Sequence, residues 1–204
     1  MAVSFTPTTV SNPAGVQGSY PQTLTVGQEG QIADLQAYVT RSYRNQTGAA
    51  LPFGVLVMTD NSPTSNDPFA VEIATGATGI VGLTVSSLIF EGASLGSTYT
   101  PSPTPIYSDG RYGYPDKQTV SVLSKGVVWV YTTEAIALGN PVRFWDTANT
   151  GSVAGSFLGR FCTTASTTKT TAITAGARWL SETSGAGLVL LELDLPAATF
   201  AADS

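Results

Sequence analysis

The stretch SKGVVWVYTTEAIALGNPVRFW, residues 124–145, sets two apolar runs on either side of a turn. Successive side chains of a strand alternate between faces, so Val127, Trp129 and Tyr131 point one way while Val128 and Val130 point the other. Both faces are apolar, the pattern of a strand covered on both sides. Gly126 relieves crowding or marks a bulge at its start. Leu138-Gly139-Asn140-Pro141 reads as a turn, followed by a second strand over Val142–Trp145. Val127, Trp129, Tyr131, Val142 and Phe144 are the expected core of this block. Trp129, Trp145 and Trp179 could stack a sugar, but all three fall within expected strands, and packing is the role assigned to Trp129.

The same texture extends to both sides. ALPFGVLVMTD (50–60) turns at Pro52-Phe53-Gly54 into a strand over Val55–Thr59; AVEIATG (70–76) and GIVGLTVSSLIFEG (79–92) supply further strands. GLVLLELDLP (187–196) places Leu191, Leu193 and Leu195 opposite Glu192 and Asp194, as in a half-exposed edge strand. ALPFGVLV, AIALGNPVRF and ITAGARWL each put a glycine just before a strand, which reads as a repeated turn-strand unit. No amphipathic helix of ten or more residues is evident, and Ile32–Tyr43, the best candidate, is a poor one. The expected fold is all-β: a single β-sandwich or small β-barrel body over residues 28–196, with an extended N-terminal arm (1–27) and a C-terminal tail (197–204).

Composition agrees with one such body. The 204 residues suffice for one substantial core, and the 21 glycines and 12 prolines suit short strands and tight turns. Only 11% of residues are charged, against about 25% in an ordinary soluble domain. The net charge of -5, without any Lys/Arg cluster, argues against nucleic acid as a partner. The N-terminus lacks the basic and apolar regions of a signal peptide, and no apolar run approaches the roughly 20 residues that span a bilayer. A soluble protein made without a secretion signal is expected.

The first 27 residues carry Pro7, Pro13 and Pro21 with singly spaced apolar residues, Phe5, Val10, Val16, Tyr20 and Leu24. Such a segment buries no face of its own, and its aromatics set it apart from a solvated tail. An arm that orders on a partner is expected, with those five residues as its contacts. Residues 92–118 are rich in Pro, Gly, Ser and Tyr and read as a projecting loop. Asp109-Gly110 has the chemistry of a type I′ hairpin turn at its tip, and Tyr99, Tyr107, Tyr112 and Tyr114 would be displayed there.

Tests for chemistry mostly close doors. There is no histidine, so the commonest general base and the commonest nitrogen ligand of transition metals are both missing. GASLG (92–96) matches the G-x-S-x-G elbow at Ser94, but that motif needs a histidine and a following helix, and STYTPSP follows. Ser124 and Lys125 are adjacent in a strand and point to opposite faces, so they form no dyad. Glu192 and Asp194 have the look of paired carboxylates, but charges two apart on an edge strand guard against aggregation far more often than they catalyse. Asp60, Asn61, Asn66 and Asp67 share a loop with ordinary turn chemistry and no EF-hand spacing. Asn45-Gln46-Thr47 is a glycosylation sequon without a secretory context, and Gly185 and Gly187 lack the third glycine of a phosphate-binding fingerprint. Cys162 stands alone, so no internal disulfide forms, and it reads as a small apolar side chain. Neither a catalytic residue, a cofactor nor a metal is expected.

Taken in order, the arm, the GQIAD entry, ALPFGVLVMTD, GIVGLTV, SKGVVWVYTTEAIALGNPVRFW and the closing GAGLVLLELDLP resemble the capsid decoration, or cement, proteins of tailed bacteriophages. The likeness covers about residues 28–195 and lies in layout and texture. It implies a non-enzymatic virion protein, made in the host cytoplasm. Such a protein binds the outer surface of an icosahedral capsid, meets the major capsid protein and clamps neighbouring capsomers. It also implies self-association, as a homotrimer at local threefolds or a homodimer at twofolds. The competing expectation is a glycan- or receptor-binding fibre or spike module working through the tyrosine-rich loop.

Overall fold

A computed structural model describes residues 27–60, 67–86, 113–147 and 158–203. Thirteen strands form among them: β1 (Ile32–Asn45), β2 (Leu51–Pro52), β3 (Leu56–Thr59), β4 (Ala70–Ile73), β5 (Ile80–Thr84), β6 (Gly113–Tyr114), β7 (Thr119–Thr132), β8 (Val142–Trp145), β9 (Phe161–Cys162), β10 (Thr170–Ala175), β11 (Ala177–Trp179), β12 (Gly187–Asp194) and β13 (Thr199–Ala202). The only helical element among the described residues is a 3-10 turn at Leu195–Ala197. The fold is all-β.

The largest sheet runs β1-β4-β3-β5-β7-β12-β11, and β1 also pairs with β7, so its first five strands close into a ring. β1 joins β4 in parallel over only two residue pairs, Arg44–Ala70 and Asn45–Val71, and joins β7 antiparallel along most of its length. A second sheet, β13-β10-β8-β9, lies against this one, and a short ribbon pairs β2 with β6.

Two apolar clusters occupy the interior. The larger gathers Leu56, Leu83, Leu123, Val128, Val130, Val189, Leu191 and Leu193 of the large sheet with Val142, Phe144, Phe161 and Ile173 of the second sheet. The smaller holds Leu51, Phe53, Val55, Val57, Val71, Tyr114, Val120 and Val122. Neighbouring residues of β3 therefore feed different clusters, which is why that run shows no polar face.

β7 passes from one cluster to the other. Its even-numbered Val120 and Val122 enter the smaller cluster, while Val128 and Val130, also even, enter the larger one beside Leu123. The change falls within residues 123–128, where Gly126 has a φ of +143°. Across from it, between the pairs Asp34–Val127 and Val39–Lys125, β1 carries residues 35–38 against the single Gly126. This is a bulge in the partner strand.

That passage revises the expected core. Val142 and Phe144 are buried, but Val127, Trp129 and Tyr131 are only partly so, and Val128 and Val130 are the fully buried residues of the block. Trp129 and Tyr131 face a thinner layer: Gly27 lies on the Trp129 ring, and the Arg160 guanidinium sits 4.7 Å from the centre of the Tyr131 ring. Trp145 and Trp179 are buried. β12 lies between β7 and β11 and is not an edge strand.

The chain's end is also built in. Residues 197–204, read as a tail, contain β13, which pairs with β10 from Thr171–Ala202 to Ala175–Thr199. The turn-strand resemblance among ALPFGVLV, AIALGNPVRF and ITAGARWL has a local cause. Gly54, Gly139 and Gly176 all take positive φ, of 71°, 86° and 77°, as tight turns before a strand require. The strands that follow, β3, β8 and β11, sit in unrelated places, so turn chemistry recurs and a structural unit does not.

Candidate docking surface

Among the described residues, much of one edge of β1 has no strand partner. The Arg44 N–H donates outward to the Phe69 carbonyl at 2.8 Å, whereas the next residue, Asn45, donates to Gln118 on the β7 side at 2.9 Å. Strand groups alternate in direction, so the backbone N–H and C=O of Ser42 and Thr40 face the same open side as those of Arg44. No described strand pairs with that side between Tyr38 and Tyr43. Tyr38 and Val39 are exposed at its start, and at its end Phe69, 62% exposed, lies 6.5 Å from the half-buried Tyr43 ring.

A second apolar patch lies toward the other end of β7. Leu138 heads the turn Ala137–Asn140 and is 59% exposed; Leu180 is exposed nearby. Glu182 accepts from the Leu138 N–H at 3.1 Å, and Ile136 bridges to Thr183, so the two segments are tied. Asn140 Oδ1 accepts from the Ala137 N–H at 2.8 Å and holds the turn in shape.

The residues singled out from sequence fall into three groups. Phe5, Val10, Val16, Tyr20 and Leu24 of the arm, Tyr99, Tyr107, Asp109, Gly110 and Tyr112 of the loop, and Ser94, Asn61 and Asn66 lie outside the described residues. Tyr114 is not displayed. It belongs to β6, 1% exposed, edge-on to Phe53 at 5.1 Å, with its hydroxyl donating to the Val85 carbonyl at 2.7 Å and accepting from the Ser121 N–H at 3.2 Å. Burial pushes its phenol above the ordinary range.

The remaining polar candidates are engaged with each other. Ser124 donates to the Val39 carbonyl while Lys125 pairs with Asp194 at 2.7 Å. Glu192 is held by Arg178, so each carboxylate of this pair already has a cation. Both belong to a shallow groove with Gly176 and Ala177. Asp67 takes the Phe69 N–H, the Gln46 amide and Arg44. Cys162 is buried; its surroundings, and next the negative charge of Glu134, push its thiol well above the usual value, which makes it inert.

Sequence reasoning did not single out Phe69, Leu138, Leu180 or the open edge of β1. Their exposure depends on how distant segments pack, which no local pattern records.

Comparison with known proteins adds the following. Residues 16–194 match the profile of a family described as structural cement protein (E217 gp24/Pam3 gp6). A chain in the solved structure described as the capsid of Myoviridae phage XM1 shares the fold at a TM-score of 0.55 and 15% identity, with 87% of this chain and 96% of that chain covered. No curated protein matches.

Proposed function

This chain belongs to the family of phage structural cement proteins, and on that premise we propose that it binds the outer surface of an icosahedral capsid and clamps neighbouring capsomers. Its partners are the major capsid protein and further copies of itself, as a homotrimer at local threefolds. The observation that carries the clamp is the separation of exposed apolar side chains along β7: Phe69 lies beside Arg44, opposite Thr119 at the start of β7, whereas Leu180 bonds Leu190, opposite Trp129, and Leu138 sits in the turn after β7. Val120 to Trp129 alone span about 30 Å at ~3.3 Å per residue. A body with contacts that far apart can touch two capsomers at once.

The rest of the surface fits a structural part. Its net charge of -5 keeps it from adhering to packaged nucleic acid, and the charged pairs on β12 are matched internally. Binding only the assembled shell stabilises that shell by mass action, and several copies in one closed oligomer multiply a modest contact. The arm residues Phe5, Val10, Val16, Tyr20 and Leu24 extend the reach. The receptor-binding alternative loses one of its four tyrosines, since Tyr114 is buried in β6.

A reconstruction of the particle by cryo-EM tests the reading. Density outside the shell between capsomers, with the Phe69 and Leu138 ends on different capsomers, is the expected result. Density restricted to a tail or fibre tip overturns it in favour of receptor binding.

A further inference from the structure

Residues 28–31 form a turn that fastens the start of the body to three separate places. The turn closes with the Gln31 N–H donating to the Gln28 carbonyl at 2.9 Å. Gly30 donates to the Trp129 carbonyl at 2.8 Å and accepts from the Ser86 N–H at 2.8 Å, while Trp129 donates to the Gln31 carbonyl at 2.9 Å. Between them, the Glu29 side chain crosses Gly54, where a Cβ would come within 2.5 Å of its Cγ, and its Oε1 lies 3.5 Å from Nη2 of Arg160. The Arg160 carbonyl accepts from the Trp145 N–H at 3.0 Å, so this arginine is itself fixed to the end of β8.

Glu29 and Arg160 stand 131 positions apart in the chain, and their side chains are only 17% and 4% exposed. A shielded ion pair is a poor device for stability, because taking two charges out of water costs about as much as their attraction returns, and an apolar pair of similar volume often holds as well. What an apolar pair does not supply is a single registry. Here the guanidinium sits 4.7 Å from the centre of the Tyr131 ring, which fixes where the Glu29 carboxylate must go. Glu29 is also the first charged side chain in the chain, so nothing before it offers another charge to set the position of the turn.

We propose that Arg160 is a positioning residue for shell binding: through Glu29 it holds the turn 28–31 in one registry on β7 and so aims the N-terminal residues from a single point above Trp129. Gly27 lies on that ring, with no room for a side chain at its position. A segment leaving a fixed root has less freedom to lose on docking than one whose root swings. The inference rests on the cement reading in one respect, that the N-terminal residues meet the shell.

The double variant Glu29→Gln/Arg160→Met tests it in the full-length protein. Both charges go at similar volume, and a polarizable side chain stays against Tyr131. Three readouts are taken: melting temperature, acrylamide quenching of tryptophan fluorescence, and binding to particles that lack this protein. Trp145 and Trp179 are each 3% exposed, so a change in quenching reports Trp129. An unchanged melting temperature is expected, with stronger quenching as Gly27 leaves the ring. Particle binding should weaken about tenfold, the cost of ordering roughly one backbone residue anew. Particle binding equal to that of the wild type overturns the inference and leaves the cement reading standing. A lowered melting temperature with unchanged quenching also overturns it, since the pair then stabilises the body without positioning the turn. Wild-type protein that fails to bind particles overturns the cement reading instead, and quenching then decides the role of Arg160 alone. Should the double variant fail to fold, Glu29→Gln by itself decides through the same readouts.

Discussion

The Cβ of Tyr38 on β1 lies 3.0 Å from where a side chain at Gly126 on β7 would begin, and the Leu123 side chain is 3.3 Å from the same point. With a φ of +143°, position 126 combines a backbone setting that side-chain-bearing residues avoid with a site already closed by its neighbours.

Gly126→Ala should therefore destabilise the body by about 1–3 kcal/mol, the usual cost of a non-glycine residue in a sparsely populated region. At this chain length that corresponds to a melting temperature lower by roughly 2–12 °C. Thermal denaturation followed by near-UV circular dichroism reads it directly; a melting point equal to that of the wild type would show that β7 does not need glycine at its crossing.

Tyr114→Phe keeps the ring against Phe53 and removes the hydroxyl shared by the Val85 carbonyl and the Ser121 N–H. A buried carbonyl and a part-buried N–H lose their partner, at about 1–3 kcal/mol. Denaturant titration measures the loss, with an unchanged m-value expected because the core stays closed.

Alkaline pH supplies a separate readout. Tyr114 and Cys162 both hold their protons more tightly when folded, above ordinary values of 10.0 and 9.0. The unfolded chain then binds fewer protons at high pH, so stability is full below about pH 9 and falls as pH rises through 9 and 10. Cys162→Ala should flatten the first part of that fall and Tyr114→Phe the second. Urea midpoints measured from pH 7 to 11 test this, and parallel curves for all three proteins would refute it.

Arg143 holds Asp203 through its Nε at 3.0 Å, and Asp203 also accepts from the Thr170 hydroxyl at 2.5 Å. Both partners of the ion pair are largely buried, so Asp203→Ala leaves a shielded guanidinium with less compensation. A loss of about 2 kcal/mol is expected, on the scale of charged hydrogen bonds. Hydrogen exchange should show it first in β13 and β10, since Asp203 directly follows β13.

Arg178 and Glu192 make the contrasting case. The arginine is 72% exposed, and solvent screens the pair. Arg178→Gln should change stability by no more than about 0.5 kcal/mol in a melting experiment. A larger loss would mean that the groove beside Gly176 is structurally important.

Much of this architecture is legible along the chain because strand and turn chemistry is local. Glycine before a strand marks Gly54, Gly139 and Gly176, and each adopts the positive φ that the turn requires. Leu191 and Leu193 on one face of β12, opposite Glu192 and Asp194, are buried as the alternation implies. Alternation fails at Val127, Trp129 and Tyr131. Period two tells which residues share a face, and it does not tell which face meets the thicker core. The larger cluster takes Val128 and Val130 because the second sheet, through Val142, Phe144, Phe161 and Ile173, packs on that side.

The sequence by itself determined an uncharged first 28 residues, an all-β body without histidine chemistry, and the turns between its strands, since all of these follow from residue type and short-range backbone preference. Only the tertiary structure decided which faces of β7 are covered, that residues Thr199–Ala202 form β13, and that β1 meets β4 only at Arg44 and Asn45. Those outcomes depend on where strands far apart in the chain meet and stop, and that depends on long-range burial, which no local pattern encodes.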